Sequence, residues 1–187
     1  MIAGVPNYLT LFRIAVIPIV IGLFYLQNKW GYWIAAGFFF VACITDFLDG
    51  YLARTWEQST QFGQFLDPMA DKLLVASTIL LLVGFDHIKG LSLIPAIIIL
   101  CRELLVSGLR EFLAETHVSM PVTTLAKWKT TLQMTALGFL IPGDPSSRFS
   151  SLSSFGLFGL WIAALLTLLT GYDYLRAGLK HMSHDAT

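Results

Sequence analysis

Six apolar runs follow one another along this chain, and most are too short to cross a membrane without taking charges with them. They fall at about 8–26, 31–53, 66–85, 91–113, 126–142 and 155–176. A helix spanning the hydrocarbon core needs roughly 20 apolar residues. Only the last run is clean, with 155–172 uncharged throughout. The second has 15 uncharged residues (31–45) before Asp46, the third has 13 (73–85) after Lys72, and the fourth has 11 (91–101) before Arg102. To reach spanning length these helices must include Asp46, Asp49, Asp71, Lys72, Arg102 and Glu103. A charge at mid-membrane costs roughly 2.5–3.5 kcal/mol on insertion scales. Such groups are therefore expected to be paired, to face a wet cavity and to do chemistry. The expectation is an all-α, polytopic membrane protein with six transmembrane helices, residues 1–187 forming one domain. Composition agrees: 13% of residues are charged, where a soluble domain has about 25%, and mean hydropathy is +0.70.

The first run has no basic segment before it and no small-x-small cleavage site after it, so it is expected to stay and to span, bent at Pro18. Connections between runs are short. Residues 27–30, 86–90 and 143–154 fall on one side, and 54–65, 114–125 and both termini on the other. The first side holds Lys29, Lys89 and Arg148; the second, with its helix ends, holds Arg13, Arg54, Lys72, Arg110, Lys127, Lys129, Arg176 and Lys180. Positive charge collects in the cytoplasm, which puts the second side and both termini there. The Ser-rich stretch 146–154 is expected to be an exposed outer loop. Cys43 and Cys101 lie inside apolar runs with no metal-type spacing, and are expected to be buried hydrophobes.

Within this apolar chain, residues 46–72 read DFLDGYLARTWEQSTQFGQFLDPMADK. Residues three and four apart share a helix face. Asp46, Asp49, Gly50 and Ala53 thus form one stripe at the end of the second helix. Gly63, Asp67 and Asp71 form one stripe of the third if it starts that early, whereas Pro68 suits a first turn and a start near Asp67. Two carboxylates about 4 Å apart repel by about 4 kcal/mol at an effective dielectric of 20. Four facing one another must protonate or bind cations. Hard oxygen ligands suit Mg²⁺ or Mn²⁺, and two pairs suit two ions, a device for phosphoryl transfer. Gly50, Ala53 and Gly63 leave room against the backbone, and Arg54 offers a planar donor fork for phosphate. The bland reading, that these acids are loop charges at helix ends, does not account for the paired stripes and the shortened apolar runs.

Asp46-x2-Asp49-Gly50-x2-Ala53-Arg54-x8-Gly63-x3-Asp67-x3-Asp71 resembles the full signature of the CDP-alcohol phosphotransferase family, in residue type and spacing at all eight positions. The resemblance implies a six-helix membrane enzyme, usually a homodimer, in which an alcohol displaces CMP from a CDP-linked substrate. It implies that Asp46, Asp49, Asp67 and Asp71 hold two metal ions. Asp49, Gly50, Ala53, Arg54 and Gly63 would contact the CDP part. Asp71 would also be the general base that activates the acceptor hydroxyl.

Three further clusters bear on the acceptor. Asn7-x2-Thr10-x2-Arg13 shares one face at the start of the first helix; these are candidate substrate contacts, with Arg13 meeting the diphosphate or an acidic neighbour, or simply anchoring at the interface. Arg102 and Glu103 lie deep in the fourth helix, and Glu103, Ser107 and Arg110 share a face. Lys127-Trp128-Lys129-Thr130-Thr131 opens the fifth helix, where cations and a helix N-terminus favour an anion. Arg102, Arg110, Lys127 and Lys129 are more cations than a diphosphate needs, which points to an acceptor that is itself a phosphate. PNYLTLFRI, CRELLVSGLRE and AKWKTTLQM are similar to the bacterial branch of the family that uses glycerol 3-phosphate, with Ala126 standing where Gly is expected. That similarity implies CDP-diacylglycerol and glycerol 3-phosphate as substrates, a site on the cytoplasmic face of a bacterial inner membrane, and no nucleic acid among the partners. Other acceptors such as serine or inositol phosphate, a prenyltransferase acting on isoprenoid diphosphates, and a divalent-cation transporter are the competing readings. Asp49-Gly50-x2-Ala53-Arg54 argues against the prenyltransferase, and the clustering of acids at one membrane face argues against the transporter.

Overall fold

The computed structural model describes residues 5–56, 61–115, 124–143 and 150–184, with side chains described for 8–46, 66–111, 113, 125, 127–143, 151–172 and 174–176. The described chain is helical: α1 (Val5–Tyr25), α2 (Lys29–Trp56), α3 (Gln61–Gly84), α4 (Leu93–Glu115), α5 (Thr124–Leu140) and α6 (Ser150–His184), with a short 3₁₀ turn at Gly90–Ser92 leading into α4. Each helix overlaps one of the apolar runs. Helix α3 begins well before Asp67 and carries Pro68 within it, so Gly63, Asp67 and Asp71 do share one helix. Residues Ser150–Ser154 form the first turns of α6 instead of a loop.

The helices assemble as two groups of three. Helix α1 packs along α2 and α3, while α6 packs along α4 and α5; the two groups meet more lightly, through α2 with α5 and through α3 with α4 and α5. Val16, Val20, Phe39, Leu74, Ile79, Leu82, Ile99, Leu137 and Leu160 are buried in one continuous core. Tight packing of α5 on α6 depends on small residues. A Cβ on Gly156 would lie 2.7 Å from Leu140 Cγ and 3.1 Å from the Ala136 carbonyl oxygen, and one on Gly159 would lie 3.1 Å from Ala136 Cβ. Without a hydrophobic drive between helices in lipid, such close approach supplies the van der Waals contact that associates them.

The turns are fixed by local chemistry. Asn28 Oδ1 accepts the Gly31 N–H at 2.6 Å, capping α2 in the usual manner of Asn at an N-terminus. The α3–α4 turn reverses through Asp86 at φ 61°. His87 then turns inward, and its Nδ1 donates to the Leu140 carbonyl at 2.9 Å. Phe24 sits among Tyr32, Phe85 and His87 with ring centroids 5.3, 5.5 and 5.8 Å away. These aromatics lock the ends of α1, α2 and α3 opposite the aspartates.

The outer surface is apolar. Leu80, Leu104, Phe158 and Leu169 all face outward. Three stretches, Tyr8–Tyr25, Gly90–Glu111 and Ser151–Arg176, are long and apolar enough to cross a membrane, which marks a membrane protein. Among the described residues α2, α3 and α5 give no such stretch; α5, at 17 residues, is at the lower limit of spanning length. Cys101 is exposed and Cys43 half-buried, so the expectation of two buried thiols is corrected. In an apolar helix the outward face is as oily as the inward one, and hydropathy does not tell them apart.

Gly156→Leu would drive a branched side chain into Leu140 and the α5 backbone. Overpacking of this kind costs about 1–3 kcal/mol, and the purified protein in detergent is expected to melt several degrees lower, while Gly22→Leu, where a Cβ meets nothing within 4 Å, is expected to melt like the parent.

Candidate active site

The three signature aspartates with described side chains, Asp46, Asp67 and Asp71, are organised from α1. Thr10 and Arg13 are three residues apart and face the same way, both fully buried. Thr10 Oγ1 donates to Asp67 Oδ1. Arg13 Nη1 donates to Asp71 Oδ1 at 2.5 Å, and Nη2 lies 3.3 Å from Asp46 Oδ1. One guanidinium therefore joins α2 to α3, and the nearby Thr10 hydroxyl secures the other described acid of the α3 stripe. Of the two partners the sequence offered for Arg13, the acidic neighbours are the ones it meets. Asp46 and Asp71 keep about a third of their side-chain surface exposed. Lys72, next to Asp71, turns the other way and donates to Ser107 Oγ, tying α3 to α4.

Facing this acidic wall is a basic one. Lys129 on α5 is buried, and its Nζ donates to Glu103 Oε1 on α4. Arg102 Nη1 lies 4.0 Å from the other oxygen of the same carboxylate. Arg102 Nη2 donates to Thr170 Oγ1 at 3.0 Å, and Arg110 Nη2 donates to Tyr174 Oη at 2.7 Å. Burying a lysine without a partner would be costly; Glu103 meets that need and leaves the arginines to neutral oxygen acceptors on α6.

Between the walls lies a cavity of about 1110 Å³. Asp46, Arg102, Glu103, Arg110, Lys127, Lys129, Thr130 and Thr131 line its charged end, and Phe39, Phe40, Met134 and Phe139 line the apolar part between α2 and α5. Among the described aspartates only Asp46 is in its lining; Asp71, a third exposed, is joined to Asp46 through Arg13. The structure thus brings Asp46 together with all four cations expected to bind the acceptor. Asn7, Asp49, Gly50, Ala53, Arg54 and Gly63 lie outside the residues whose side chains are described. Among the described residues no group of three or more acidic, His or Cys side chains is gathered into a ready-made metal site. The donor chemistry nevertheless fits a hard cation. Asp46, Asp67 and Asp71 supply only carboxylate oxygens; Arg13 pairs with two of them and a neutral hydroxyl, Thr10, takes the third.

Sequence reasoning missed α6, which it read as apolar pattern alone. The available signal was a polar stripe at helical spacing, Thr167, Thr170 and Tyr174, near the end of the cleanest hydrophobic run; all three side chains are buried. It also left the partner of Glu103 open.

A family model described as CDP-alcohol phosphatidyltransferase matches residues 3–169. Three bacterial proteins, each named CDP-diacylglycerol–glycerol-3-phosphate 3-phosphatidyltransferase, are similar over almost their whole lengths. One from Rickettsia bellii is 50% identical over 178 residues, covering 95% of this chain and 97% of its own. One from Pseudomonas fluorescens is 45% identical, covering 97% and 93%. One from Haemophilus influenzae is 42% identical, covering 92% of each.

Replacing Arg13 with Met would leave Asp46 and Asp71 facing each other across a buried gap. Removing one member of a buried ion pair costs up to about 3–5 kcal/mol. With both acids a third exposed, a loss of about 2–3 kcal/mol is expected. Thermal unfolding in detergent should register it, and Arg13→Met combined with Asp71→Asn should recover part of the loss. An Arg13→Met protein as stable as the parent would remove the guanidinium from this role.

Proposed function

The chain belongs to the CDP-alcohol phosphatidyltransferase family, and from that premise we propose how its cavity works. The enzyme transfers the phosphatidyl group of CDP-diacylglycerol to sn-glycerol 3-phosphate, giving phosphatidylglycerophosphate and CMP in phospholipid biosynthesis. One observation carries the reading of the site: a single cavity joins Asp46, from the acidic signature, to Arg102, Arg110, Lys127 and Lys129. Such a cavity can hold a diphosphate against one wall and a second phosphate against the other.

Asp49, Gly50, Ala53, Arg54 and Gly63 form the CDP-binding stretch that follows Asp46 into the end of α2 and the start of α3. Arg102, Arg110, Lys127 and Lys129 hold the acceptor phosphate. Fixed in this way, the glycerol 1-hydroxyl faces the lipid-linked phosphorus. Its oxygen forms the new P–O bond, the bond to CMP breaks, and the hydroxyl proton passes to Asp71. Thr10 and Arg13 position the carboxylates for this step. Asp46, Asp49, Asp67 and Asp71 would hold two ions, Mg²⁺ or Mn²⁺. When bound, they supply neutralisation of the diphosphate and of charge developing on the leaving CMP.

The whole of 1–187 acts as one catalytic domain. All six α-helices cross the bilayer, with α2, α3 and α5 sheltering their charged ends inside the protein. The excess of Lys and Arg on the loops and helix ends of the active-site side puts that side, with both termini, in the cytoplasm, so the protein sits in a bacterial inner membrane. The acyl chains of the substrate stay in lipid while its headgroup enters the cavity. The working unit is a homodimer.

CMP release measured with glycerol 3-phosphate, serine and inositol phosphate, in Mg²⁺ and in Mn²⁺, is expected to show turnover with glycerol 3-phosphate alone. Turnover with serine and none with glycerol 3-phosphate would overturn the assignment of the acceptor. Asp71→Asn is expected to lower turnover by about 100- to 10,000-fold, the usual effect of losing a general base, while CDP-diacylglycerol still binds. Undiminished turnover would exclude Asp71 as base.

A further inference from the structure

The arginines of the basic wall are held in an unusual way, and α6 holds them. Arg110 lies with its Cζ 4.8 Å from the centre of the Tyr174 ring and donates to that residue's hydroxyl at 2.7 Å. Arg102 approaches the same ring, its Cζ 5.6 Å from the centre. Its Nη2 donates to Thr170 Oγ1 at 3.0 Å. The Thr170 proton is already committed to the Leu166 carbonyl at 2.8 Å, so its oxygen is set to accept. Gly171, between the two, lets the Arg102 stem lie on the helix; a Cβ there would be 3.1 Å from Arg102 Cγ. Arg102 Nε is buried against the same glycine, 3.6 Å from where its Cβ would be, with no hydrogen-bond partner among the described residues.

Two like charges are thus gathered on one aromatic ring, and the groups that accept their hydrogen bonds on α6 are neutral. A carboxylate at either place would hold an arginine as firmly and cancel its charge. A ring face and two hydroxyl oxygens fix the guanidinium planes and leave the positive field available to a dianion. Glu103, the nearby carboxylate, takes its hydrogen bond from Lys129 and meets Arg102 only at the longer distance of 4.0 Å.

We propose that Tyr174 is a positioning residue for the acceptor: with Thr170 and Gly171 it sets Arg110 and Arg102 for a phosphate monoester, which makes α6 a determinant of acceptor specificity. The proposal rests on the reading of Arg102 and Arg110 as acceptor-phosphate ligands. Tyr174→Phe keeps the ring and removes the hydroxyl acceptor.

The test is a steady-state comparison of the full-length enzyme, its Tyr174→Phe and Arg110→Ala variants and the double variant, with glycerol 3-phosphate and CDP-diacylglycerol varied separately. Tyr174→Phe is expected to raise the KM for glycerol 3-phosphate about five- to tenfold, the size of one ordinary net hydrogen bond. Its kcat and its KM for CDP-diacylglycerol should stay within about twofold. In the Arg110→Ala background the Phe change should add nothing further, because its effect passes through Arg110. If Arg110→Ala leaves the acceptor KM unchanged, the reading of the arginine falls, and this proposal with it. If Arg110→Ala raises that KM and Tyr174→Phe does not, the reading stands and the proposal is overturned. Full additivity of the two changes, or equal rises in both substrates' KM values, would likewise overturn it. Thr170→Val gives an independent check through Arg102 and is expected to raise the acceptor KM selectively.

Discussion

The architecture depends on a guanidinium buried between three helices, each of which it meets within its length. Arg13 is fully enclosed, yet it sits between Asp46 of α2 and Asp71 of α3. A lone charge in that place would be prohibitively desolvated, and two carboxylates without it would repel. Together they form the polar end of an otherwise apolar group of helices. Thr10, one turn earlier, takes Asp67, so a single face of α1 sets both acids of α3. Helix α1 is in this sense the frame on which the acidic signature is mounted.

The second group of helices repeats the arrangement with the charges reversed. Lys129 is buried and needs an anion; Glu103 provides it. Acidic side chains exceed basic ones on one wall of the cavity, and basic ones exceed acidic on the other. The light contact between α2 and α5 leaves the volume between them. Substrates carrying phosphate on both reacting partners are matched by such a division. The surplus cations of α4 and α5 suit the acceptor, and the surplus acids of α2 and α3 suit cations that accompany a diphosphate.

Much of this was legible in the sequence because charge in an apolar chain is so constrained. The shortened runs located the helices, and the spacing of three and four placed Asp46 and Asp67/Asp71 on stripes. The same reasoning marked Arg102, Arg110, Lys127 and Lys129 as a set, and the cavity lining includes all four. What it lacked was direction. Hydropathy does not say which side of an apolar helix faces the protein, so Cys101 was expected inside and is outside. Nor does it register a tyrosine as polar, which concealed Tyr174 at the end of α6. Pairing between helices was equally hidden: Glu103 follows Arg102 directly in sequence, yet its closest partner is a lysine on another helix.

The two internal ion pairs also explain why the cavity stands open. Asp46 and Lys129 line the same space and carry opposite charges. With nothing else to bind, they would attract across it and draw α2 towards α5. Arg13 holds Asp46 back toward α1 and α3, and Glu103 holds Lys129 toward α4. Each wall is neutralised from behind, enough to remove the drive for collapse and not enough to cancel its charge. Oppositely charged substrate groups can then enter without first breaking a salt bridge across the cavity. Preorganisation of this kind lowers the cost of assembling reactants before any bond changes.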